Sequence, residues 1–68
     1  MAALEDIATE RVRQVEKGWT ATHDDAHGVV HLIDEAQARL DGGPSRRGLV
    51  AAAALLVAAI ETLDRLNE

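Results

Sequence analysis

The chain has 68 residues, enough for one domain. A domain of this size buries only about 60% of the surface its unfolded form exposes, so its core needs a supplement. With no cysteine, a disulfide framework and a thiolate zinc site are excluded, which leaves association with other copies or a histidine and carboxylate metal site. The formal charge of −5 excludes broad contact with a nucleic-acid polymer or an anionic membrane, whereas a few local cations suffice for a small anionic ligand.

Residues 2–17 carry Leu4, Ile7, Ala8, Val12 and Val15 at three- and four-residue spacing, with Glu5, Asp6, Glu10, Arg13, Gln14 and Lys17 largely opposite. This pattern predicts an amphipathic helix, with Gly18 as the residue just past its end. Its start, "MAALEDIATE", lacks the basic and then apolar run of a secretory signal, so a cytoplasmic location is expected.

"GWTAT" leads to a second helix expected over 23–41. Thr22 stands three residues before Asp25, the spacing of a capping box, and Asp24 and Asp25 complement the helix dipole. The apolar stripe is Ala26, Val29, Val30, Ile33, Ala36 and Leu40, interrupted by Gly28, which costs roughly 1 kcal/mol inside a helix. "DGGPS" ends this helix, and Pro44 with Ser45 starts a third over 46–66.

The run "LVAAAALLVAAI" is well short of the ~20 residues a membrane-spanning helix needs, so it reads as a buried helix. It is apolar on every side, more than two small helices can cover. The side bearing Ala51, Ala54 and Ala58 is therefore expected to pack against another copy. The fold class expected is all-α: one domain over 1–68, a three-helix up-down-up unit assembled into a homo-oligomer through its alanine-rich third helix.

Three chemistries are open to these residues. His23, His27 and His31, four apart, form a row on one helix flank that with Asp24 has zinc-binding spacing. Solvated imidazoles at the edge of the apolar stripe are the plainer reading, and no metal or other cofactor is expected. Glu61 and Asp64 form an ExxD pair like those that hold magnesium in small pyrophosphohydrolases of the MazG kind. Helix two offers only Asp34 and Glu35, with Ala38 where the second ligand would stand, so a reduced hydrolase using Glu35, Glu61 and Asp64 is an alternative with half its cage missing. A helical module docking on another protein through the third helix is a further alternative.

Ligand binding without chemistry is the favoured reading. Trp19, the lone aromatic of the Phe, Tyr and Trp class, sits where the second helix begins, with Arg11, Arg13 and Lys17 in the last turns of the first helix at the same end. His23, Asp24 and His27 add donors and acceptors. A flat ring, cations for phosphate and carboxylates for ribose hydroxyls suit a nucleotide-like molecule. The plainer role for Trp19 is a plug at the end of the core. Arg46 and Arg47 are expected at the opposite end, reaching Trp19 only from a second subunit.

The segments "ERxRQ" and "GWTxxHDDxH", here Glu10 to Gln14 and Gly18 to His27, and the late "LVxAAALxxAxIExLDR", here Leu49 to Arg65, resemble a group of small phage and prophage proteins. The chain is similar, more loosely, to the Thoeris anti-defence sponges of phages. That resemblance implies a non-enzymatic oligomer sequestering a cyclic nucleotide or cyclic ADP-ribose-type immune signal in the host cytoplasm. It implies Arg11, Arg13, Trp19, His23, Asp24 and His27 as binding positions, to which Lys17, Thr20, Arg46 and Arg47 are added as candidates. The chain departs from both groups in its short middle, "DGGPS", and in lacking an acidic pair after the histidine.

Overall fold

A computed structural model describes residues 2–67, and all regular structure among them is helical. The elements are α1 (Ala3–Glu16), α2 (Ala21–His27), α3 (Val29–Leu40) and α4 (Arg46–Leu66). Among the described residues no helix is long and apolar enough to cross a membrane.

The end of α1 falls where Gly18 predicts it. Gly18 has φ +110, and the Trp19 amide turns back to donate to the Gln14 carbonyl at 2.9 Å. The next helix starts two residues earlier than expected. Thr20 is extended (φ −83, ψ 168) and its Oγ1 accepts from the His23 amide, so Thr20 is the cap and Thr22 lies inside the first turn. The expected helix over 23–41 is two helices. Gly28 has φ 87 and ψ 167, a region open essentially to glycine alone. Its amide closes α2 on the Asp24 carbonyl at 2.8 Å, and α3 restarts at the next residue. The glycine that looked like a tolerated interruption is a joint.

The hub is α4, which packs against α1, α2 and α3, whereas α1 packs on α4 and not on α3. Leu32, Ala36, Ala52, Leu55, Ala58 and Ala59 form the core, with Trp19 and Val29 against it. Small side chains bring α3 and α4 close together. A Cβ on Gly48 would lie 2.7 Å from the Arg39 carbonyl oxygen, so that approach requires glycine. Ser45 caps α4, its Oγ accepting from the Gly48 amide at 3.0 Å.

Two faces differ from expectation. Ala54 and Ala58 are fully buried in the chain's own core and Ala51 is half-buried, so the side expected to meet another copy is already occupied. α3 takes up the alanine-lined approach and the Gln14 side chain bonds the Ala51 carbonyl. The large apolar residues α4 leaves exposed are instead Leu49, Leu56, Val57, Ile60, Leu63 and Leu66. On α1, Gln14 is the buried residue, while Leu4 is 83% exposed and Val12 and Val15 are also exposed. The inward face of α1 is thus rotated away from its apolar stripe.

Candidate functional site

Behind Trp19 lies a buried ionic network. Asp24, in the first turn of α2, is fully buried, and its Oδ2 accepts from Arg11 Nη2 at 3.1 Å. Arg11 Nη1 donates to the Trp19 carbonyl at 3.0 Å, and Arg11 Nε lies 3.5 Å from Glu61 Oε1 without forming a hydrogen bond. One guanidinium therefore ties α1, the Trp19 turn, α2 and α4 together. His23 Nδ1 lies 3.2 Å from the other Asp24 oxygen. His27 Nδ1 is 2.9 Å from the His23 carbonyl, an acceptor only, so that nitrogen carries the proton. At the far end of α4, Arg65 donates to Asp25 at 2.9 Å, which raises the Arg65 pKa above its ordinary value and keeps it charged.

The rings form one cluster across the Gly28 joint. His31 stacks on Trp19 with centroids 5.8 Å apart and planes 14° from parallel, and His23 meets the indole edge-on at 5.0 Å. His27 lies 4.1 Å from His23 and 4.8 Å from His31. Among the described residues no three histidines or carboxylates converge as a metal cage, neither the histidine row nor Glu35, Glu61 and Asp64. Glu35 instead pairs with Arg39, and Glu61 lies against Arg11.

Trp19 also lines an open groove of about 770 Å³. The C-terminal half of α1 and its C-cap supply Glu10, Arg13, Gln14 and Lys17; α3 supplies Arg39; the N-cap and start of α4 supply Ser45, Arg46, Arg47, Gly48, Val50 and Ala51. The short turn after α3 brings Arg39 beside the first turn of α4. Gln14 joins α1 to α4, its Nε2 donating to the Ala51 carbonyl at 3.2 Å. Gln14 is 6% exposed and its Oε1 is buried without a partner.

Five of the chain's seven Lys and Arg residues line this groove, against one carboxylate, Glu10. Arg13 pairs with Glu10, Arg39 with Glu35 and Arg46 with Asp6, each an ion pair at the surface between an exposed guanidinium and a half-buried carboxylate. Such pairs contribute about 0–1 kcal/mol, so a phosphate can displace the carboxylates at little cost. Lys17 and Arg47 form no ion pair among the described residues.

The ten candidate residues therefore divide at Trp19. Arg13, Lys17, Trp19, Arg46 and Arg47 share the groove. Arg11, Thr20, His23, Asp24 and His27 build the network and the cap behind it. Asp24, fully buried and bonded to Arg11, is not free for a ribose. No second subunit is needed to bring Arg46 and Arg47 to the Trp19 groove, because the last turns of α1 sit over Ala51, near the start of α4, instead of at its far end. Glu10, Gln14 and Arg39 were missed. Arg39 was within reach of sequence reasoning, since a turn as short as "DGGPS" must bring the end of one helix beside the start of the next. Compared with protein-family models, curated proteins and solved structures, the chain matches none.

Proposed function

We propose that the groove binds a phosphate-bearing, nucleotide-class molecule and holds it without turnover, making the protein a sponge for a nucleotide-derived signal. One observation carries this reading: an acidic chain gathers five of its seven cations, and its one tryptophan, around a single groove. Cations answer phosphates, the indole offers a flat apolar face, and the volume lies within the roughly 300–1,000 Å³ usual for small-molecule sites. Capture needs a preorganised site and no transition-state stabilisation. The groove's one carboxylate, Glu10, is occupied by Arg13.

The resemblance to phage anti-defence sponges makes cyclic ADP-ribose isomers and cyclic oligonucleotides the first ligands to test, in the setting of a phage protein acting in host cytoplasm. The same reading includes a homo-oligomer built through α4. The test uses Trp19 as its own reporter, because no other tryptophan or tyrosine contributes to the fluorescence. Titration with cyclic di- and trinucleotides and cyclic ADP-ribose isomers is expected to give a saturable change with one of them. A flat response to the whole panel overturns the reading.

A further inference from the structure

Most of the exposed apolar residues of α4 fall in one line. Leu49, Ala53, Leu56, Ile60 and Leu63 are spaced four, three, four and three, the a/d repeat of a coiled-coil seam, with exposed Val57 and Leu66 outside it. Four of the five are exposed, Ile60 by 59%, and Ala53 is half-buried. The core-facing residues of α4, among them Leu55, Ala58 and Thr62, lie on another side of the helix.

Beside the start of the seam is an almost wholly apolar groove of about 400 Å³, walled by Ala3 and Ile7 of α1 and by Leu49, Val50 and Ala53 of α4. Arg46 stands at its mouth and also lines the cationic groove. The helix is basic where it begins, at Arg46 and Arg47; towards its end it carries Glu61, which lies against Arg11, Arg65, which is paired with Asp25, and Asp64, which forms no ion pair among the described residues.

We propose that α4 pairs antiparallel with α4 of a second copy along this seam, the apolar groove of each chain receiving Ile60 of the other. In an antiparallel seam an a position faces a d position, and one register accounts for every member. Leu49 faces Ile60, Ala53 faces Leu56, and Leu63 faces Arg46. The small residue then meets a large one at the centre, and Ile60 arrives at the groove that Leu49 and Ala53 line. At each end Arg46 of one copy lies beside Asp64 of the other, and the opposed helix dipoles add to that complementarity. A parallel pair would place Arg46 against Arg46 and Asp64 against Asp64. The antiparallel pair is therefore the one that charge selects. It buries a seam about 21 Å long on each chain and sets the second copy's acidic end at the rim of the cationic groove. The interface does not depend on what that groove binds.

The absence of cysteine makes the arrangement directly testable. Leu49→Cys and Ile60→Cys proteins are prepared separately, mixed without any nucleotide, and oxidised. The proposed register gives the mixed disulfide in excess over either symmetrical one. Symmetrical disulfides in excess would show parallel pairing, and no cross-linking with a monomeric mass at high protein concentration would remove the interface; either overturns the proposal. As a second reading, Leu56→Glu is expected to halve the mass in sedimentation while keeping the helical signal, because residue 56 is exposed within the single chain. An unchanged mass for that variant likewise contradicts the seam.

Discussion

Arg11 and Asp24, thirteen residues apart, form a charge pair at 3.1 Å in which the carboxylate is fully buried. The pair is the main tie between α1 and α2, which make no direct helix packing contact. Removing one member of such a pair strands the other without water. Arg11→Met is expected to cost about 3–5 kcal/mol. A domain this small rarely holds more than about 3–5 kcal/mol in its core, so the variant should lose most of its helical circular dichroism at 25 °C. Retention of a cooperative urea transition at the original midpoint would show that the pair does not hold the fold.

Gly28 provides a cleaner backbone test. A Cβ there would meet nothing within 4 Å, so any penalty for Gly28→Ala comes from its positive φ and not from a clash. The expected loss is about 1–3 kcal/mol. Gly42→Ala is the control, since Gly42 is also open to a Cβ but is not among the positive-φ glycines. The two urea midpoints should separate, with Gly28→Ala lower. Equal midpoints would mean that the joint between α2 and α3 relaxes freely.

Gln14 is buried with its two polar atoms acting in opposite directions on stability. Its Nε2 is bonded to Ala51 while its Oε1 is buried and unmatched. A net hydrogen bond stabilises by about 1 kcal/mol and an unmet buried acceptor costs about 1–3 kcal/mol, which leaves a balance between about zero and a net cost of about 2 kcal/mol. Gln14→Met, similar in volume, should therefore leave the thermal midpoint unchanged or raise it. A large fall would mean that Oε1 has a partner, such as an ordered water, in the folded protein.

Lys17 and Arg47 are the groove cations with the least to lose on substitution, having no ion-pair partner among the described residues. Lys17→Glu and Arg47→Glu should each weaken binding of a phosphate-bearing ligand by about tenfold or more, with little change in stability, and should flatten its dependence on salt. Calorimetric titration at two salt concentrations reads both effects. Unaltered affinity in both variants would place the ligand elsewhere.

Much of the frame was legible in the residues. The limits of α4 match the expected 46–66, with Pro44 and Ser45 marking its start, and the end of α1 is marked by Gly18. The break at Gly28 was not legible, because Val29, Ile33 and Ala36 continue a helical period straight through it and only the backbone angle separates a joint from an interruption. The face of α1 was misleading for a related reason. An apolar stripe predicts an inner face, yet the inward position of α1 is Gln14, whose partner is a backbone carbonyl 37 residues away that no local pattern announces. The candidate site was half legible. Residue type singled out Trp19 and the cations, but telling Arg11 from Arg13 required knowing that Asp24 would be buried next to Arg11.

The most direct measurement of the central claim is recovery of the bound molecule. Purified protein is exposed to a mixture of cyclic nucleotides and cyclic ADP-ribose isomers, washed, denatured, and the released compounds are separated by chromatography. The account predicts that one compound comes back intact and in fixed proportion to protein, that Trp19→Ala returns none, and that Arg47→Glu returns much less. Recovery of a cleaved product would contradict holding without turnover, and recovery of nothing would contradict the groove as a nucleotide site.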